Sequence, residues 1–286
     1  MINFKEFPPT FDPNTKPPAL TIGLIIFTLI LCVIRTFTSY NLNSLVLYPR
    51  APLDLNLNSL SFYSMVHTNF FHWICNIFTL LTPLAIFEMR NGTIHTGVTL
   101  NLLTVVAGLQ YCLAGLLFYP NTGVVGLSGI AFSFMSYMAY QESKFKPIFY
   151  TWHFNNMELK IYTIYLPFFI ALFFMVLFPS SSFPGHVTGI LTGYLLALGY
   201  LNKLYPPSHI LVSIEKKVSS LINLLGKIVT FYKEDECLIL RNNNEYTPML
   251  NQGADIKQGM SNNSGSSNSA TFQSETRVLG TRDSTA

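Results

Sequence analysis

Hydrophobic and polar positions divide the chain into long apolar runs joined by short polar stretches. Residues 17–34, 98–118, 161–178 and 187–201 contain no Asp, Glu, Lys or Arg. Apolar runs of about 18 residues or more are long enough for a helix to cross a bilayer. The whole pattern predicts six membrane-spanning helices, roughly at 18–39, 61–87, 96–118, 124–140, 161–178 and 184–202. The fourth is the shortest. Its small and aromatic residues suit the centre of a bundle better than lipid. The fold class expected is therefore an all-α polytopic membrane protein, with 18–202 as the membrane domain. Past it the pattern changes. Ile210, Leu211, Ile214, Val218, Leu221, Ile222, Leu225 and Val229 recur at helical spacing with lysines between them. This predicts an amphipathic helix within 203–240, lying on the membrane surface. Residues 241–286 are dominated by Asn, Ser, Gly and Thr; they have little to bury and read as a disordered tail. Residues 1–17 form a polar, proline-rich N-terminal segment. It has neither the basic start and apolar core of a signal peptide nor the arginines of a mitochondrial presequence.

Charge adds an orientation. Only 11% of residues are charged, against about 25% in soluble domains. The net charge of +3 is therefore read loop by loop and gives no reason to expect nucleic acid. With six spans both termini share one side. That side holds Lys5, Lys16, Arg90, Lys144, Lys146, Lys160 and every basic residue from Lys203 onward, while the other holds Arg35 and Arg50. The excess of Lys and Arg marks the cytosolic side. The glycosylation patterns NGT at 91–93 and NNS at 262–264 then face the cytosol and are expected to stay unmodified. Cys32, Cys75, Cys112 and Cys237 form no CxxC pair, so neither a disulfide framework nor a metal site is expected. No cofactor is expected either.

Polar groups within a membrane are costly and mark candidate sites. Three stretches carry them: HTNFFHWICN in the second span, with His67, His72 and Asn76; GLSG at 126–129, with Ser128; and GHVTGILTG at 185–193, with His186. His72 and Asn76 are four apart and share a helix face. Ser128 lies between Gly126 and Gly129 but misses the GxSxG elbow, because residue 130 is Ile. Each stretch alone is explained by helix packing. Together they assemble. Gly185, Gly189 and Gly193 repeat every four residues and make a face for close helix approach. The topology puts the starts of spans four and six on the same side, so a glycine-lined contact brings His186 toward Ser128. A serine needs such a base to be nucleophilic at neutral pH. No acid lies near to orient the imidazole, and Phe132, one turn after Ser128, is placed to stack on it. The Ser128 N–H at a helix start, with His72 and Asn76, would supply oxyanion donors.

HxxxxHxxxN, GLSG and GHxxGxxxG, in this order and on one side of the membrane, resemble the rhomboid intramembrane serine proteases. The resemblance covers about residues 18–202 and includes Glu88 and Gly92 in an FExxxG stretch. It implies a six-transmembrane-helix rhomboid bundle. Ser128 would be the nucleophile, His186 the general base and acid, and His72 and Asn76 the oxyanion hole. His67, Gly126, Gly129, Gly189 and Gly193 would be structural. Transmembrane proteins would be the substrates, cut near the lumenal side. The chain is most similar to the small fungal Golgi-type members, which implies a Golgi membrane location. It departs from many rhomboids in residues 40–60, which hold no Trp and only Arg50. In the tail, FQSETRVLG at 272–280 is similar in spacing to a Phe…Leu–Gly box that recruits a hexameric AAA ATPase. Ser274 and Thr276 stand where glycines are expected, and a chance match competes with that reading.

Two other classes remain in view. A non-proteolytic rhomboid-like binder of membrane helices would have the same fold, but its relatives usually lack the serine or the histidine. A transporter would need charged groups at mid-membrane. No acid occurs in the interior of any expected span.

Overall fold

The structure is a computed structural model and describes residues 16–37, 42–154, 157–178 and 181–242. The first fifteen residues, the tail beyond 242 and the 272–280 segment lie outside the described residues. In chain order the elements are α1 (Ala19–Phe37), α2 (Leu57–Phe62), α3 (Phe70–Asn91), α4 (Thr93–Phe118), α5 (Ser128–Ser143), β1 (Ile148–Phe154), β2 (Met157–Tyr162), α6 (Leu166–Leu177), α7 (Phe183–Ala197), α8 (Ser208–Lys217), α9 (Ser219–Leu225) and α10 (Glu234–Asn242). Among the described residues, α1, α3 and α4 are long and apolar enough to cross a membrane. The expected spans at 124–140, 161–178 and 184–202 correspond to the shorter α5, α6 and α7.

Three expectations need correcting. The second helix begins at Phe70 rather than 61, because Asn69 caps it, accepting the His72 N–H at 2.8 Å. His67 therefore precedes α3. Residues 148–162, expected to be a loop and the start of a span, form two antiparallel strands, so the chain is not wholly helical. The surface helix is broken at Val218 into α8 and α9, and α10 follows it.

α5 is the central helix. Its Ile130, Ala131 and Phe134 are buried with Leu80, Leu84 and Phe87 of α3. Its closest neighbour is α7. A Cβ added to Gly189 would overlap the carbonyl oxygen of Gly129 and lie 2.9 Å from its Cα; one on Gly193 would overlap the Ser133 carbonyl and lie 2.8 Å from its Cα. The two backbones thus touch, and only glycine fits at these α7 positions. Ser133 Oγ lies 2.9 Å from the Gly129 carbonyl oxygen and 2.8 Å from that of Gly189, tying the helices with a polar contact.

At the other end of α3 the carboxyl group of Glu88 is buried and accepts four hydrogen bonds. Leu20 N–H and Thr93 Oγ1 donate to Oε1 at 2.8 and 2.9 Å; Thr21 N–H and Thr21 Oγ1 donate to Oε2, both at 2.8 Å. Leu20 and Thr21 lie in the first turn of α1, whose N–H groups have no intrahelical acceptor. Glu88 therefore caps a helix nearly 70 positions away in sequence. The C-terminal segment closes over the same end. Ala19 N–H donates to the Thr230 carbonyl and Thr230 N–H to that of Pro17, each at 2.9 Å; Thr93 N–H donates to the Tyr232 carbonyl at 2.8 Å. Arg241 donates to the Asn91 carbonyl at 2.9 Å and pairs with buried Glu234. Cys237 is buried beside Met89, and burial pushes its thiol up to about 12, so it serves as a packing group. Glu88→Gln replaces an acceptor oxygen by an NH2 group facing two donors, at a cost of about 3 kcal/mol. A thermal melt of the purified protein in detergent is expected to show a midpoint lower by several degrees. An unchanged midpoint would contradict the capping role.

Candidate active site

Three helix starts converge at the end of the bundle opposite Glu88. α3 brings His72 and Asn76, α5 brings Ser128, and α7 brings His186. Ser128, His186, His72, Asn76 and Phe132 line one cavity of about 220 Å³.

Local sequence explains each placement. The Asn69 cap sets His72 in the first turn of α3, one turn before Asn76. The His72 ring is held through Nδ1, 3.0 Å from Thr68 Oγ1. Gly126 has φ +110°, a conformation open to glycine. A side chain there would also strike the site: its Cβ would lie 3.0 Å from His72 Nε2 and 3.1 Å from Asn76 Nδ2. The strand-like pairing of Val124 with Leu47 (3.1 and 2.9 Å) and a bond from Gly126 N–H to the Tyr63 carbonyl (3.0 Å) hold this turn. His67 Nε2 accepts the Leu127 N–H at 3.5 Å, so His67 steadies the backbone just before Ser128. Ser128 opens α5, and its N–H is among the first-turn donors free of an intrahelical acceptor. Ser182 caps α7, accepting the Gly185 N–H at 3.2 Å, and Pro184 sits in the first turn. The buried His186 ring lies against Phe132, centroids 4.5 Å apart and planes inclined by 34°.

Asn76 Nδ2 and His186 Nδ1 are buried and have no protein partner among the described residues, which is rare for buried polar atoms. Among the described residues, no acid lines the cavity. No hydrogen bond joins Ser128 Oγ to His186 among the described residues; the two meet as walls of the same cavity. Thr68 and Asn69, which hold and cap His72, were not singled out by the sequence reading. Their signal was present: a hydroxyl and an N-cap residue within the HxxxxHxxxN stretch itself.

The rhomboid domain matches residues 55–203, just over half of the chain. The chain belongs to the rhomboid family. A rhomboid-type serine protease 2 of Candida albicans is 67% identical over 286 residues, covering all of both chains. The protein of that name in Debaryomyces hansenii is 50% identical over 243 residues, 85% of each chain. The one in Saccharomyces cerevisiae is 34% identical over 256 residues, 87% of this chain and 92% of the relative. This rhomboid is thus a serine protease and a multi-pass membrane protein, an intramembrane hydrolase. The matched region contains the whole cavity. α1 and the C-terminal closure over Glu88 fall outside it but inside the full-length match to the Candida relative.

Proposed function

We propose that this rhomboid cleaves transmembrane proteins with a Ser128–His186 dyad near the lumenal face of the Golgi membrane. The observation that carries the reading is the single cavity shared by Ser128, His186, His72 and Asn76 from three helices. Ser128 Oγ attacks the scissile carbonyl while His186 takes its proton. The oxyanion is held by the Ser128 N–H with the His72 and Asn76 side chains. His186 then protonates the leaving amine; water entering the cavity gives its proton to His186 as it attacks the acyl-enzyme, and His186 returns that proton to Ser128 Oγ. Phe132 orients the imidazole in place of a carboxylate. Hydrogen bonds of this kind tighten on substrate binding, so their absence from the free enzyme is compatible with the dyad.

Six spans with both termini cytosolic agree with the distribution of Lys and Arg. In this reading 18–202 is the protease domain, 203–240 is the cytosolic amphipathic region and 241–286 is a cytosolic tail. The length of α5 supports cleavage inside the bilayer. Its 16 residues span about 24 Å against a hydrocarbon core of about 30 Å, so a helix reaching one face leaves Ser128 beneath the other. A substrate must present an extended peptide there. Helices that unwind easily, with a small residue before the cut, fit a cavity of this size.

A fluorophosphonate probe on membranes tests the dyad. The wild type is expected to be labelled at Ser128, and His186→Ala to lose labelling by about 100-fold or more. Labelling of His186→Ala at the wild-type rate would remove His186 from the mechanism.

A further inference from the structure

The paired strands β1 and β2 join the end of α5 to the start of α6, on the side of the bundle away from Ser128. Tyr150 lies opposite Ile161, Trp152 opposite Leu159 and Phe154 opposite Met157; between them Thr151 faces Lys160 and His153 faces Glu158. Alternate residues of a strand share a face, and so do directly opposed cross-strand partners. Over residues 150–154 and 157–161 one face is therefore large and apolar or aromatic, and the other polar; the Ile148–Tyr162 pair lies beyond a register shift. On the polar face Glu158 lies 3.6 Å from His153 Nδ1 and 3.8 Å from Lys160 Nζ, with all three side chains open to solvent. The apolar face is open. Trp152 is 57% exposed, Leu159 63%, Phe154 69% and Met157 76%. A two-stranded sheet is marginal in water by itself, and an uncovered patch of this kind marks an interaction surface.

We propose that this face is a membrane-binding surface, seated in the headgroup–acyl boundary of the leaflet opposite the catalytic cavity. Three observations favour lipid over a protein partner. The strands are tethered at both ends to helices of the membrane bundle, which holds them at its boundary. Beyond β2 the exposed surface continues through Tyr165, whose ring lies 6.4 Å from that of Tyr162 at the strand's end, into Phe169, Leu172, Phe173 and Val176 on the outward side of α6. Lys144 and Lys146 sit over the rings of Tyr140 and Phe149, at 4.8 and 5.6 Å from the centroids. Aromatic rings with neighbouring lysines, apolar below and charged above, suit the interface between acyl chains and water. The insertion anchors the far ends of α5 and α6, the helices that bear Ser128 and flank its cavity.

Trp152 is a built-in probe, since the chain has two tryptophans and Trp73 is buried, donating to Thr28 Oγ1 at 3.0 Å. Full-length wild type and Trp152→Phe are reconstituted in phosphatidylcholine vesicles, with and without lipid brominated near the top of the acyl chain; their difference reports Trp152. Its emission is expected to fall about twofold or more in brominated lipid and to resist iodide supplied on both sides of the bilayer. Iodide quenching without quenching by brominated lipid would place the face in water and overturn the proposal. Quenching by neither would mean that protein covers the face, and would overturn it equally.

Discussion

Liposomes carrying the full-length Ser128→Ala protein and a single-span substrate are expected to show a loss of cleavage of about 10⁴-fold or more. The loss should come without unfolding. Ser128 Oγ makes no hydrogen bond among the described residues, so its removal leaves no orphaned partner, and a thermal melt should match the wild type. The experiment also separates Ser128 from rival nucleophiles. Cys75, Thr68, Thr79, Ser181 and Ser182 line the same cavity. Ser182 is occupied as the cap of α7, and Thr68 as the partner of His72. Of these groups only Ser128 is the first residue of a helix, with its own N–H free of an intrahelical acceptor. Residual cleavage above about a tenth of wild type would point to one of the others as the true nucleophile.

Gly189→Ala is expected to damage both stability and activity, while Gly129→Ala should be mild, although both glycines belong to the motifs of the site. A Cβ on Gly189 overlaps the Gly129 carbonyl, which is backbone and cannot swing away. A Cβ on Gly129 meets only the Gly185 carbonyl oxygen, at 3.6 Å, an ordinary contact. For Gly189→Ala the helices must part, weakening the contact of Ser133 Oγ with the Gly189 carbonyl. Overpacking of this kind costs about 1–3 kcal/mol. His186 is one turn before Gly189, so the separation also moves the imidazole away from Ser128. Misplacement by about 1 Å costs on the order of 100-fold in rate. Thermal melts and cleavage rates of the two variants, with Gly23→Ala as a control in open space, decide it. Equal damage from Gly129→Ala and Gly189→Ala would refute the backbone contact as the reason for the glycines.

Local pattern carried much of this protein. Charge-free runs located α1, α4, α6 and α7, because a membrane helix must be apolar along its length whatever it packs against. The four-residue glycine spacing marked the face of α7 that touches α5. Three polar motifs at comparable helix starts named residues that line one cavity. Other features depended on partners distant in sequence. Glu88 was visible as an acid near a helix end, but its donors are Leu20, Thr21 and Thr93, and only the packing of α1 beside α3 reveals a cap. The pairing of Thr230 with Pro17 and Ala19 joins segments more than 200 residues apart. The β1–β2 pair was hidden because most of it falls between the spans expected at 124–140 and 161–178, and the apolar run from 161 takes in the end of β2. The break at Val218 was hidden as well, because helical spacing continues across it. Sequence alone determined which surfaces must be buried and which groups are chemically costly, since burial and cost act residue by residue. Only the tertiary structure decided which surfaces meet, because that depends on a topology no local pattern encodes.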